Sequence, residues 1–191
     1  MVAPTIGVIA LQGGVREHAD MLTDLGAQVR LVRRPADVDK LDGVVIPGGE
    51  SSTIDRLLRT FGCTDALSEA LAGGLPVLGT CAGLIMLATE IVDPAPGQQS
   101  LGVIDMVVRR NAFGPQINSA VETIETSFGP ATGAFIRAPK VESVGEGTRV
   151  VAKRGDAIVG VETDTALAVS FHPELTGDQT VHRHFLGKIG E

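Results

Sequence analysis

The 191-residue chain predicts an α/β fold, a three-layer arrangement with a mixed, mostly parallel sheet and helices on both faces. Two observations carry that reading. Short apolar runs alternate with helical periodicities through the first half, and a β-α-β-α order of this kind implies parallel strands covered on both sides. Beyond residue 100 the pattern changes to strands separated by tight turns such as Arg154-Gly155-Asp156, as hairpins require. No repeat, low-complexity tract or linker divides the chain, so one domain over residues 1–191 is expected.

The elements follow in order. Residues 5–11 read as a buried strand, and Val15, Ala19, Leu22 and Leu25 then recur at helical spacing, with Gly26 placed to stop that helix. Residues 27–32 and 43–46 are the second and third strands, the third closing on Pro47-Gly48-Gly49. Ile54, Leu57, Leu58 and Phe61 mark another helix, and Thr64 can cap a further one that runs to Gly73-Gly74. A strand at 75–80 and a helix at 82–90 complete the series. Residues 93–100, with two prolines and a glycine, form a loop. Strands are expected at 103–109, 121–126, 135–136, 150–153, 157–161 and 167–171, and a short helix at about 178–188 carries Val181, Phe185 and Ile189.

Composition narrows the function classes. With 16 basic against 23 acidic residues the net charge is −7, and no Lys/Arg cluster offers a nucleic-acid surface. Aromatics are only 3% of the chain, with no Trp or Tyr, so base-stacking platforms and aromatic cages are hard to build. The first apolar run is too short for a signal or membrane segment. Cys63 and Cys81 do not suggest a disulfide framework in a chain of this length, and a reduced, cytoplasmic protein is expected. Cys63, at the end of an apolar helical pattern, reads as a small buried hydrophobe.

Gly79-Thr80-Cys81-Ala82-Gly83 is the most informative segment, lying between an apolar strand and an apolar helix. A small-x-nucleophile-x-small sequence in that setting is a nucleophile elbow, whose sharp strand-to-helix turn strains the central residue. Gly79, Ala82 and Gly83 are small because nothing larger fits around the bend. The bend sets the Cys81 sulfur at a helix N-terminus, where free N–H groups and the helix dipole favour thiolate over thiol.

A cysteine nucleophile needs a base and a group to orient it. Of His18, His172, His182 and His184, the second stands out because it ends a strand and is followed by Pro173-Glu174. Residues two apart on extended backbone point to one side, so the Glu174 carboxylate can lie beside the His172 imidazole. Viewed alone, that tripeptide is equally a turn with a solvated acid. Cys81 and His172 both sit just past the carboxyl end of a strand, where parallel α/β sheets place their sites. His18 reads as a surface or partner-facing residue, and His182 and His184 are wrongly spaced for a metal pair on one helix, so neither metal nor cofactor is expected. Acyl transfer also requires an oxyanion hole. Ala82 N–H is one donor by position, and the turn Pro47-Gly48-Gly49-Glu50-Ser51-Ser52 can supply the second from Gly49. The same glycine-rich turn could instead cradle phosphate, although it lacks the lysine and the spacing of the common phosphate-binding loops.

Cys81 within GTCAG, His172 and Glu174 within FHPE, and PGGES together resemble the class I, triad-type glutamine amidotransferases. More narrowly, ALQGGVREH (10–18), PGGESST (47–53), GTCAGLIMLA (79–88), RRNAFG (109–114), FIRAP (135–139) and SFHPELTGD (170–178) resemble the glutaminase subunits of pyridoxal 5′-phosphate synthase. The resemblance spans nearly the whole chain, with the blocks in the family's order. It implies a flavodoxin-like core and hydrolysis of L-glutamine to glutamate and ammonia, with Cys81 attacking, His172 as base and acid, and Glu174 orienting it. It carries the glutamine-binding positions over as Gly49, Glu50, Ser51, Arg110, Ile136 and Arg137; a guanidinium fork suits the α-carboxylate of the substrate. It also implies a partner, a (β/α)8-barrel synthase subunit in a large hetero-oligomer that receives the ammonia for vitamin B6 synthesis, with the LQGGVREH segment facing it. Pro115 stands where the family commonly has arginine, and Ala112 where serine is usual.

Overall fold

The computed structural model describes residues 2–112 and 119–189. Strand β1 (Thr5–Ile9) leads through helix α1 (Val15–Asp24) to β2 (Gln28–Val32), and a 3-10 turn at Pro35–Val38 leads on to β3 (Gly43–Ile46). Helices α2 (Ser51–Thr60) and α3 (Cys63–Ala72) precede β4 (Val77–Thr80), which turns directly into α4 (Ala82–Leu87). There follow β5 (Ala88–Ile91), β6 (Ile104–Arg109), β7 (Ala120–Thr126), β8 (Gly129–Phe135), β9 (Lys140–Val144), β10 (Arg149–Arg154), β11 (Ala157–Glu162), β12 (Ala166–Val169) and α5 (Thr180–Gly187).

The sheet runs β2-β1-β3-β4-β12-β11-β10-β7-β8, with β9 branching from β11 and leading through β6 to β5. Pairing is parallel from β2 to β12 and antiparallel from β12 to β8. The parallel strands are buried on both faces, and their alternation sorts side chains into two cores. Val44, Ile46, Val77, Ala166 and Ala168 meet α2, α3 and α4 through Ile54, Leu58, Leu67 and Leu84. Val45, Leu78, Leu167 and Val169 face the other way, onto Leu22 of α1 and Val181 and Phe185 of α5. That is the three-layer arrangement expected from the sequence.

Several boundaries differ from the expectation, each for a local reason. The helix expected at 82–90 stops at Leu87, because the next residues pair in parallel with β6 and Thr89 Oγ1 exchanges hydrogen bonds with Met106. Thr64 does not cap α3. The helix starts at Cys63, two residues earlier than a Thr64 cap would place it, after Gly62 in a left-handed turn (φ 69°), a conformation glycine adopts without penalty. Strand β8 is far longer than residues 135–136, and β9 was not foreseen. Their glycines, prolines and charged residues (Gly129-Pro130, Gly133, Lys140, Glu142) disguise strands whose order comes from cross-strand pairing. Among the described residues no helix is long and apolar enough to cross a membrane.

Candidate functional site

The carboxyl ends of β3, β4 and β12 converge on a cleft of about 360 Å³ lined by Gly48, Gly49, Glu50, Ser51, Cys81, Ala82, Arg110, Ile136, Arg137, His172 and Glu174. Every site residue expected from the sequence is in this one cleft.

Cys81 has φ 49° and ψ −102°, the left-handed strained backbone of an elbow, and its N–H is tied to Val169 O at 2.8 Å. The need for small neighbours is steric. A Cβ on Gly79 would lie 2.6 Å from the Gly83 carbonyl carbon, and one on Gly83 would lie 2.0 Å from Ile46 O. The sulfur is 3.9 Å from Ile136 O and only 6% of the residue is exposed.

His172 is placed by β8. Its N–H and C=O pair with Ala134 at 2.9 and 3.1 Å, the bridge that extends β12 toward the antiparallel hairpin. Its Nδ1 lies 2.7 Å from Glu174 Oε1, which leaves the other ring nitrogen for Cys81, with which the imidazole also hydrogen-bonds. The route to Glu174 corrects the expected one. Pro173–Leu175 is a 3-10 turn, not extended chain, and it curls the carboxylate back under the ring. Burial alone would lower the His172 pKa, but the hydrogen bonds to Cys81 and Glu174 outweigh it and raise it to about 10. Burial likewise opposes ionisation of Glu174, yet hydrogen bonds from His172 and His18 hold its carboxyl far below the usual range.

The glycine turn is fixed on three sides. Gly48 N–H donates to Thr80 Oγ1 at 3.1 Å, Gly14 N–H donates to Gly48 O at 3.0 Å, and Glu50 N–H donates to Gln12 Oε1 at 2.8 Å. Because the Gly48–Gly49 peptide is trans, anchoring its oxygen on α1 directs Gly49 N–H to the opposite side. Ala82 N–H lies at the first helical position of α4, where the helix itself supplies no acceptor.

Arg110 is not a free cation awaiting a carboxylate. It spans Glu50 Oε1 at 3.0 Å and Gln98 Oε1 at 2.9 Å, while Arg109 turns outward to Glu142. Glu50 also caps α2 by accepting from Thr53 N–H at 2.9 Å. Burial opposes its ionisation, but hydrogen bonds from Ser52 and Thr53 and the charge of Arg110 hold its carboxyl below the usual range. Arg137 is exposed at the rim with φ 45°, and Ile136 presents its carbonyl to the sulfur. Ala112 N–H donates to Ala138 O at 3.0 Å, whereas Pro115 lies outside the described residues.

His18 corrects another expectation. It is not on the surface but fully buried behind the Glu174 carboxylate, 2.8 Å from His182 Nε2 through Nδ1 and 3.1 Å from Thr80 Oγ1 through Nε2. The sequence held a signal: His18 follows Val15 by three positions and precedes Leu22 by four, inside the buried stripe of α1. Gln12 and Thr80 were also missed. Their roles depend on contacts with Gly48 and Glu50, more than 30 positions away.

The chain is 53% identical over 189 residues to the pyridoxal 5′-phosphate synthase subunit PdxT of Streptomyces griseus, covering 97% of this chain and 96% of that one. To the subunit of the same name from Streptomyces coelicolor it is 54% identical, covering 97% and 94%. A solved glutamine amidotransferase structure superposes with a TM-score of 0.91 at 45% identity, covering 97% of this chain and 99% of that one. The model of one family matches residues 8–191, and on these grounds the chain belongs to the SNO glutamine amidotransferase family.

Proposed function

We propose that this chain hydrolyses L-glutamine with a Cys81-His172-Glu174 triad and delivers the ammonia to a (β/α)8-barrel pyridoxal 5′-phosphate synthase subunit, in a large cytoplasmic hetero-oligomer. The observation that carries the proposal is the strained Cys81 elbow meeting an imidazole–carboxylate pair inside one cleft. Full-length similarity to two PdxT subunits supports the partner and the pathway.

In this reading the sulfur attacks the side-chain amide carbon of glutamine. The charge that develops on oxygen is met by Gly49 N–H and Ala82 N–H. His172, which holds its proton through the neutral range, gives it to the departing nitrogen, and ammonia leaves behind a γ-glutamyl thioester. The neutral imidazole left behind then takes a proton from water as that water attacks the thioester, releasing glutamate and restoring the sulfur. Glu174 fixes the ring by its 2.7 Å contact and stabilises the imidazolium. At the other end of the cleft Glu50 and Arg110 present both signs of charge to the zwitterionic α-carbon, with Ser51, Ile136 and Arg137 completing the pocket.

The test is ammonia release from glutamine, measured with and without the synthase subunit. Strong stimulation by the synthase and complete loss in Cys81→Ala are expected. Turnover surviving in Cys81→Ala refutes covalent catalysis, and indifference to the synthase refutes the partner.

A further inference from the structure

Behind the triad lies a buried polar chain that the mechanism above does not use. His182 on α5 and His18 on α1 are both fully buried, with ring centroids 5.0 Å apart. His18 Nε2 sits between two acceptors, Thr80 Oγ1 at 3.1 Å and Glu174 Oε1 at 3.5 Å. The first of these receives Gly48 N–H, and the second receives the His172 ring. One nitrogen therefore touches both halves of the proposed machinery, the acid arm of the triad and the strand that holds the glycine turn.

The proton positions in this chain follow from what is buried. A carboxylate oxygen beside Nε2 favours an N–H there over a lone pair. A neutral His18 must then accept at Nδ1, so His182 donates its Nε2–H. The remaining His182 atom, Nδ1, is buried without a hydrogen-bond partner among the described residues. It is then a bare lone pair, which is less costly to bury than an orphaned N–H. The opposite assignment leaves a buried donor unsatisfied and sets a lone pair against the carboxylate. His182 stays neutral in this arrangement: its burial lowers its pKa to about 3.

We propose that His18, its tautomer set by His182, is a positioning residue for the glutaminase reaction: its Nε2–H anchors the Glu174 carboxylate and the Thr80 hydroxyl together, and so holds the triad in register with the glycine turn that carries an oxyanion donor. This rests on the triad reading above. Helix α1 contributes to both attachments, since Gly14 at its start also holds Gly48 O. The titratable groups around His18 are His182 and, in front of α5, Asp178; Glu174 with His172 behind it; Glu17 on α1; and Cys81 at the elbow.

The proposal is tested by measuring glutaminase kinetics against pH for the assembled complex with the synthase, using His18→Leu, His18→Gln and Thr80→Val. A glutamine amide can place a donor where Nε2 stood. His18→Leu is expected to lower kcat about 10- to 100-fold, with KM for glutamine within about twofold. The alkaline limb of kcat should move downward by about one pH unit, because a Glu174 that has lost its anchor holds the His172 proton less firmly. His18→Gln should restore most of both. Thr80→Val should lower kcat with the alkaline limb unmoved, since that hydroxyl serves Gly48. If His18→Leu does not fold, His18→Asn, too short to reach Glu174, reads the same quantities. An unmoved alkaline limb in the Leu or Asn variant, or a Gln variant as impaired as either, overturns the positioning role. Cys81→Ala, run alongside, tests the triad itself: turnover surviving there overturns that reading.

Discussion

Gly48→Ala is a sharp test of the site because the structure says how far a single methyl group pushes. A Cβ on Gly48 would lie 2.2 Å from His172 Cε1, 2.7 Å from Nδ1 and 3.3 Å from Nε2. Carbon atoms rest at about 3.5 Å or more, so the ring must withdraw by about 1.3 Å. The His172 backbone cannot supply that movement, being paired with Ala134 on both sides. The ring must turn instead, and the 2.7 Å bond to Glu174 and the contact with Cys81 are lost together. A displacement of about 1 Å at a reacting group can cost about 100-fold in rate, while overpacking costs about 1–3 kcal/mol of stability. Gly48 has no positive φ, so the substitution tests space rather than backbone strain. The expected result is a fall in kcat of about 100-fold with a melting temperature lowered by about 2–12 °C. Gly187→Ala is the control: nothing lies within 4 Å of its added Cβ at the end of α5, and activity should be unchanged. The assay is ammonia release with the synthase present, alongside thermal melts. A Gly48→Ala enzyme within threefold of the parent kcat would refute the claim that this turn and the imidazole are in rigid contact.

Three further outcomes are expected. Gly83→Ala drives a Cβ to 2.0 Å from the backbone oxygen of Ile46, which cannot rotate away, so a denaturant titration should show about 3 kcal/mol or more of lost stability. Glu50→Ala removes both the α2 cap and the partner of Arg110; stability should fall by about 1 kcal/mol and KM for glutamine should rise at least several-fold in steady-state kinetics. Stability against pH should fall on both sides of neutrality. His182, lowered in the fold to about 3, contributes above pH 6.5 and loses that contribution as pH falls from 6.5 toward 3. His172, raised to about 10, contributes fully below pH 6.5 and loses it as pH rises through about 10. Melts of His182→Gln, which can donate to His18 but cannot take up a proton, should show a shallower acid descent; an unchanged slope counts against a neutral buried His182.

Sequence alone determined those features whose physics is local. A cysteine between small residues, with a strand before it and an apolar helix after it, allows essentially one backbone path, and Cys81 follows it with φ 49°. Alternating apolar runs require a sheet covered on both faces, and the two cores of the parallel strands follow from a period of two. Tertiary structure decided what depends on partners distant in the chain. Strands β8 and β9 have weak propensities of their own and exist through pairing, and β8 in turn sets His172. Arg110 looks like an open cation in the sequence but is paired with Glu50, 60 positions away. His18 looks like a surface residue beside Arg16 and Glu17, and only the packing of α1 against α5 and β4 makes it the buried neighbour of Glu174. A side chain's own neighbours in sequence report which way the backbone turns; which charge or donor it meets is set by segments that only the folded chain brings together.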